Sequence, residues 1–212
     1  MLKDTLQETG LIAILRGIQP EQSGDVAQML YSAGIRIVEV PMNSPQALLS
    51  IRAIRDVLPS DCVVGAGTVV SLKQVADVWK MGSEFIVMPH GDRAVIDAAR
   101  NVGMDVIPGV ATPTEAFAAL KADVNLLKVF PVESLGPSVL KAWLAVLPEE
   151  IGLLPVGGVT PENIPNYMQV GAAGFGIGSA LYQPGVSMEA IGIQARRFVE
   201  AWRSAKHFFK QA

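Results

Sequence analysis

The hydrophobic residues of this chain fall in short runs that alternate with longer amphipathic segments. The runs are rich in Val and Ile and are bounded by Gly, Pro or polar residues, a pattern typical of buried strands. Eight strands are predicted in this way, over residues 11–15, 36–40, 62–67, 85–88, 104–108, 126–130, 152–157 and 173–178.

The segments between the runs carry signals for the beginnings and ends of helices. Proline and small hydroxylated residues favour the first turn of a helix or its N-cap, and such residues occur at Pro20, Ser44, Ser71, Thr112, Ser134 and Thr160. Glycine commonly ends a helix, and the predicted ends are Gly34, Gly82, Gly103 and Gly171. A short additional helix is predicted over residues 3–9.

Alternating strands and helices predict parallel strands joined by right-handed crossovers. Eight such units favour an α/β fold of the closed (β/α)₈ type, a TIM barrel, as one compact domain over residues 1–212, with helix 3–9 closing its floor. An open doubly wound sheet is the alternative. Its usual dinucleotide fingerprint, G-x-G-x-x-G after the first strand, is absent from this sequence.

Composition and charge narrow the functional classes. With 50% hydrophobic and 17% charged residues, the sequence is not that of a disordered protein. A net charge of −3 argues against nucleic-acid or anionic-membrane partners, which need a basic face. The lone Cys62 and two histidines exclude an internal disulfide and a Cys-rich zinc module. Without a signal peptide or an apolar run long enough to span a membrane, we expect a cytoplasmic protein.

Function in a barrel of this kind lies at the carboxyl ends of the strands. Lys128 stands within the apolar strand LLKVF, where burial would favour the neutral amine that a Schiff-base nucleophile needs. Glu39, the only acid in the second predicted strand, is a candidate general acid and base. The alternatives are a Lys128 that points outward and a structural ion pair between these two residues.

Other strand ends supply candidate ligand contacts. Arg16 could clamp a substrate carboxylate or lie on the rim as a solvated arginine. The segments VGGVTPEN and GIGS each place glycines and a polar residue directly before a predicted helix, where barrels often bind phosphate. Two tight turns without a ligand are the alternative. The residues proposed for phosphate are Gly157, Gly158, Gly178 and Ser179.

The segments LRG, EVPMNSP, GAGT, LKVFP, GGVTPEN and GIGS together resemble the class I aldolases that split 2-keto-3-deoxy-6-phospho sugar acids. The resemblance extends over about residues 10–185. It implies a (β/α)₈ homotrimer that uses no metal and no organic cofactor. By position, Lys128 matches the Schiff-base lysine and Glu39 the general acid and base of this family. The implied substrate contacts are Arg16, Asn43, Thr68, Pro89 and Val156, with the phosphate on the four residues given above.

Two positions distinguish the branches of this family. The gluconate-type enzymes usually have arginine four residues after the glutamate, where this chain has Asn43, and threonine before the paired glycines, where it has Val156. In both features the chain resembles the other branch of the family, whose substrate differs from the gluconate-type substrate only in its configuration at C4. The expected reaction is cleavage of 2-dehydro-3-deoxy-6-phosphogalactonate to pyruvate and glyceraldehyde 3-phosphate in galactonate catabolism. A gluconate-type or dual-specificity aldolase, a sugar isomerase or epimerase, and a non-catalytic phosphate-binding barrel are the alternatives.

Overall fold

The computed structural model describes residues 2–210, and within them nine strands and nine α-helices alternate. The strands are β1 (Leu11–Ile14), β2 (Ile37–Pro41), β3 (Val63–Gly67), β4 (Phe85–Val87), β5 (Asp105–Ile107), β6 (Gly109–Val110), β7 (Leu126–Val129), β8 (Gly152–Pro155) and β9 (Phe175–Ile177). The helices are α1 (Leu2–Thr9), α2 (Pro20–Ala33), α3 (Ala47–Val57), α4 (Leu72–Lys80), α5 (Arg93–Asn101), α6 (Pro113–Leu120), α7 (Gly136–Leu144), α8 (Ile164–Gln169) and α9 (Met188–Lys210). A 3₁₀ turn spans Val132–Ser134.

All the strand pairs are parallel, and they form two sheets of order β5-β4-β3-β2-β1-β9 and β6-β7-β8. The last strand therefore lies beside the first. In an open doubly wound sheet the first and last strands are not neighbours, so that alternative is wrong. The strands and helices do confirm the α/β prediction. The fold is a curled parallel sheet with helical crossovers.

Two connections join the sheets. A parallel bridge pairs Val156, just after β8, with Gly176 of β9. On the other side, β5 lies within the predicted strand over 104–108, and β6 follows it directly after Pro108 and belongs to the other sheet. Proline has no N–H to donate, but the Pro108 carbonyl still accepts a hydrogen bond from the Lys128 N–H at 2.9 Å. The predicted strand over 104–108 thus corresponds to β5 alone, and the short strand β6 was not predicted.

Successive side chains of a strand point to opposite faces of the sheet, so the strands contribute to two separate hydrophobic cores. On β1, Leu11 and Ala13 pack in the outer core between sheet and helices, and Ile12 packs in an inner core on the other face. The remaining inner-core residues come from six further strands and from α1, and they are Leu2, Leu6, Ile37, Val63, Phe85, Val87, Ile107, Leu126 and Leu154. The inner face of the curled sheet is therefore filled at the amino-terminal ends of its strands.

Helix α1 covers the segment predicted as an extra helix. Its Leu2 and Leu6 are about 1% exposed and lie in the inner core with the strand residues. The helix thus packs across the amino-terminal end of the inner face. Any solvent access to that face must come from the carboxyl ends of the strands.

Several predicted helix limits are correct. The Ser71 and Thr112 hydroxyls accept hydrogen bonds from backbone N–H groups three residues on, as N-caps do. Pro20 is the first residue of α2. The four glycines predicted to end helices all have positive φ, between 82° and 104°, which glycine adopts without steric cost.

Three predicted helix starts are wrong, because the residues concerned lie in turns before the helices. The Ser44 hydroxyl accepts a hydrogen bond from Gly17 N–H, and α3 begins only at Ala47. Ser134 lies in the 3₁₀ turn, before α7. Thr160 N–H donates to Asn163 Oδ1, so a turn separates Thr160 from the start of α8.

Candidate active site

The pleat of β2 and β7 turns Glu39 and Lys128 to the inner face of the sheet. Each residue stands two positions after an inner-core residue of its own strand, Ile37 in β2 and Leu126 in β7. Both are nearly removed from solvent, at 2% and 7% exposure. They share the wall of an internal cavity of about 10 Å³, a size that suits about one water molecule.

Glu39 lies in an environment that disfavours its charge. Burial raises its pKa from 4.5 to about 7, against the opposing effects of Lys128 and Arg16. Its Oε2 atom accepts no hydrogen bond from the residues that the structure describes. The carboxyl group lies directly against Gly67, where a Cβ would overlap it. A carboxyl group with a pKa near neutrality can take up and return a proton at physiological pH.

Lys128 is likewise shifted towards its uncharged form. Burial lowers the pKa of its amine, Glu39 opposes the shift, and Arg16 adds to it. The Nζ atom lies 4.5 Å from the centroid of the Phe130 ring. Among the ion pairs of residues 2–210, none joins Lys128 to Glu39 within 4.0 Å. The side chain neither points outward nor forms the structural ion pair that was the alternative.

Arg16 lies at the mouth of β1, where it is exposed to solvent. Its guanidinium donates a 2.6 Å hydrogen bond to Asn43 Oδ1 in the loop after β2. A parallel link joins Gly17 N–H to the Ser44 hydroxyl at 2.9 Å. The loops that follow β1 and β2 are therefore tied together on one rim, with a cation at the point of contact.

A cleft of about 770 Å³ opens above Lys128 at the carboxyl ends of β1, β7, β8 and β9. Seven of the eleven predicted site residues line it, namely Arg16, Lys128, Val156, Gly157, Gly158, Gly178 and Ser179. Its wall also contains residues that the sequence did not single out for the site, including Gly17, Phe130, Thr160, Tyr182, Gln183 and Pro184. Val156 and Lys128 border both the cleft and the small internal cavity, so the two spaces adjoin.

The two glycine turns in the wall of the cleft differ from one another. Gly157 and Gly158 have positive φ, 97° and 68°, and a Cβ on Gly158 would lie 2.7 Å from Glu133 Oε2. Gly178 has open space where a Cβ would be. The GIGS segment enters a turn in which Leu181 N–H donates to Gly178 O, and α9 begins only at Met188. The helix predicted immediately after this segment is therefore wrong.

Four predicted residues lie outside the cleft wall. Glu39 borders only the internal cavity, and Asn43 meets the cleft through Arg16. Thr68 is half-buried at the end of β3 with a φ of 55°, and Pro89 is exposed after β4. The structure brings Glu39 close to the cleft lysine but does not bring Thr68 or Pro89 to the cleft.

Comparison with known proteins decides the family. A family model described as "Aldolase: KDPG and KHG aldolase" matches residues 2–192. The chain belongs to the KDPG and KHG aldolase family. It is accordingly an aldolase, which excludes the isomerase and epimerase alternatives.

Relatives of this aldolase support the assignment along the whole chain. The chain is 47% identical over 195 residues to the 2-dehydro-3-deoxy-6-phosphogalactonate aldolase of Escherichia coli K12, covering 92% of this chain and 95% of that protein. A solved native KDPGal structure superposes with a TM-score of 0.91 at 46% identity, over 93% of this chain and 96% of that one. The KDPG aldolase of Legionella pneumophila, with pyruvate captured as a covalent carbinolamine, superposes with a TM-score of 0.82 at 25% identity, over 97% and 98%.

The described part of the chain offers neither a metal centre nor a membrane-spanning helix. Within residues 2–210, no group of three or more His, Cys, Asp or Glu side chains is placed to hold a metal ion. No helix of this part of the chain is both long and apolar enough to cross a membrane.

Proposed function

We propose that this aldolase cleaves 2-dehydro-3-deoxy-6-phospho-D-galactonate to pyruvate and D-glyceraldehyde 3-phosphate through a Schiff base on Lys128. The observation that carries the proposal is the pairing of a buried amine and a buried carboxyl on the inner face of one curled sheet, beneath a cleft with a cationic rim. The E. coli relative is named for the same substrate, and the Legionella relative holds pyruvate as a carbinolamine.

In the first half of the reaction, the neutral Lys128 amine attacks the C2 ketone. Loss of water from the carbinolamine gives an iminium, which accepts electrons from the C3–C4 bond. The burial of Lys128 supports its role as the nucleophile, because burial lowers the pKa of the amine and so increases the fraction of free amine at neutral pH.

Glu39 then takes the proton of the C4 hydroxyl, directly or through a water molecule in the adjoining cavity. The C3–C4 bond breaks, the aldehyde leaves, and the bond electrons form a pyruvate enamine on Lys128. Glu39 returns its proton to C3, and hydrolysis of the imine frees pyruvate. A pKa of about 7 suits both directions of this transfer.

The two ends of the substrate would bind on opposite sides of Lys128. Arg16 would hold the carboxylate end, because a guanidinium binds a carboxylate with two hydrogen bonds. Backbone N–H groups of the turns at Gly157, Gly158 and Gly178, with the Ser179 hydroxyl, would hold the phosphate. Holding both ends fixes the bond to be broken beside the catalytic pair.

Val156 is the residue that we propose reads the configuration at C4. It separates the cleft from the internal cavity that Glu39 borders, which is where the C4 hydroxyl must lie to reach that carboxyl. Its methyl groups offer no hydrogen bond to a hydroxyl of the other epimer. Thr68 and Pro89, at the neighbouring strand ends, would contact substrate only after a local rearrangement of the rim.

The same proposal extends to assembly and architecture. We propose a closed eight-unit (β/α)₈ barrel forming a single domain over residues 1–212, with β5 and β6 counted as one strand. The enzyme would be a cytoplasmic homotrimer that needs no metal or organic cofactor. Light scattering on the purified chain tests the trimer, and turnover after exhaustive chelation tests the metal-free mechanism.

The experiment that tests the proposed substrate is pyruvate release from the two C4 epimers under identical conditions. Faster release from the phosphogalactonate-type epimer is expected. Equal rates would indicate a dual-specificity enzyme, and preference for the gluconate type would reverse the assignment. Binding of both epimers without release from either would favour the non-catalytic barrel, with stabilisation against heat as its only signature.

A further inference from the structure

The contact between Arg16 and Asn43 is a link across the rim of the cleft. Arg16 lines the cleft and Asn43 does not, yet the Asn43 amide oxygen accepts a 2.6 Å hydrogen bond from the guanidinium. The next residues in each loop are also linked, because Gly17 N–H donates a hydrogen bond to the Ser44 hydroxyl. Ser44 is 8% exposed, so this second link is a packed feature of the rim.

The chemistry of Asn43 leaves the charge of Arg16 available. An amide oxygen accepts the hydrogen bond and carries no net charge, so the guanidinium keeps its positive charge. A carboxylate in the same place would neutralise it. Among the ion pairs of residues 2–210, none includes Arg16. The cation is close enough to act electrostatically on both Glu39 and Lys128. A cation held in the wall of the cleft that also contains Lys128 suits the carboxylate of a 2-keto acid whose C2 is bound to that lysine.

Resting on the function proposed above, we infer that Asn43 is a positioning residue that orients Arg16 towards the keto-acid carboxylate and does not itself read the configuration at C4. The carboxylate and C2 are common to both C4 epimers and to pyruvate. A residue that acts only through Arg16 must therefore affect the binding of all three ligands alike. A residue that contacts the C4 hydroxyl must affect the two epimers differently and leave pyruvate binding unchanged.

A double-mutant cycle with pyruvate as the probe tests this inference. The half-saturating pyruvate concentration for borohydride trapping is measured for wild type, Asn43→Ala, Arg16→Ala and the double variant. We expect Asn43→Ala to raise this concentration about fivefold, the effect of losing one orienting hydrogen bond. In the Arg16→Ala background the same change should have an effect below about twofold, because the two residues act as one unit.

Two further variants sharpen the test. Asn43→Asp keeps the hydrogen-bond acceptor but adds a negative charge beside Arg16, so it should weaken pyruvate binding at least as much as Asn43→Ala. Asn101→Ala, a change at an exposed position on α5, is the control and should match wild type. With the two C4 epimers, Asn43→Ala should lower kcat/KM by the same factor, leaving their ratio within about twofold.

The outcomes separate this inference from the proposed function. Additive effects in the cycle, unchanged pyruvate binding in Asn43→Ala, or a changed epimer ratio would overturn the positioning role while the aldolase assignment stands. Absence of pyruvate trapping by the wild-type enzyme would overturn the proposed function, and the positioning role with it.

Discussion

The carboxyl group of Glu39 lies in the space that a side chain on Gly67 would occupy. A Cβ built on Gly67 would overlap Oε2, although the backbone of Gly67 does not have a positive φ. Glycine is therefore needed here for room and not for its conformational freedom. Across the β2–β3 pair, Gly67 is opposite Pro41, so Glu39 reaches diagonally to the neighbouring strand.

We expect Gly67→Ala to displace the Glu39 carboxyl towards the cleft and to lower kcat for cleavage by about tenfold or more, the scale of a misplaced general acid or base. A carboxyl group moved towards water has a lower pKa. The acid limb of the pH profile of kcat/KM should then move to a pH below 7. Measuring this profile separates a displaced carboxyl group from a general loss of structure.

Gly91→Ala is the matched control for this substitution. A Cβ at Gly91 would make an ordinary contact of 3.9 Å with Ala119, so rate and pH profile should stay as in wild type. A Gly67→Ala enzyme that is fully active with an unshifted profile would show that the position of Glu39 does not depend on Gly67.

Burial of Glu39 also predicts how stability depends on pH. Its folded pKa, about 7, is above the ordinary 4.5 because burial disfavours the carboxylate. The folded state therefore binds the proton more tightly, and stability from this group is present below pH 4.5 and is lost as pH rises through 7. The loss is on the order of 3 kcal/mol. We expect Glu39→Gln to melt at a higher temperature than wild type at pH 8, with a smaller difference at pH 5.

Calorimetry at the two pH values, with Glu189→Gln as the control, checks this expectation. Glu189 is exposed on the first turn of α9, so its removal should not produce a pH-dependent gain. Equal melting temperatures for wild type and Glu39→Gln at pH 8 would mean that the Glu39 carboxylate is well solvated in the folded enzyme.

Val156→Thr replaces one methyl group by a hydroxyl at the boundary between the cleft and the internal cavity. A hydroxyl there can hydrogen-bond the C4 hydroxyl in the other configuration, so we expect the preference for the galactonate epimer to fall by about tenfold. The ratio of kcat/KM for the two epimers is the measurement. An unchanged ratio would remove Val156 from the control of selectivity.

Much of the fold could be predicted from sequence because it rests on local patterns. Successive residues of a strand point to opposite faces, so Ile37 shares a face with Glu39, and Leu126 with Lys128. The structure has both pairs on the inner face. The additional strand β6, after Pro108, forms because Gly109 and Val110 pair with β7 in the other sheet. That is a tertiary choice, and no local pattern indicates it.

The site residues that the sequence did not indicate are mostly defined by contacts that form only in the folded chain. Gly67 was within the GAGT segment, but its contact with Glu39 arises only when β2 and β3 pair in the observed register. Phe130 lies over the amine of a residue two positions away in its own strand segment, which the strand period could have indicated. Tyr182 has a buried hydroxyl with no hydrogen-bond partner among residues 2–210. It follows a turn whose sequence contains no motif that would indicate a binding site.

Covalent trapping identifies the residue that forms the Schiff base with pyruvate. The wild-type enzyme is incubated with pyruvate and borohydride, digested, and analysed by mass spectrometry, with Lys128→Ala treated in parallel. We expect one reduced pyruvate adduct, on the peptide that contains Lys128, and none in the variant. An adduct on another lysine, or one that persists in Lys128→Ala, would contradict it.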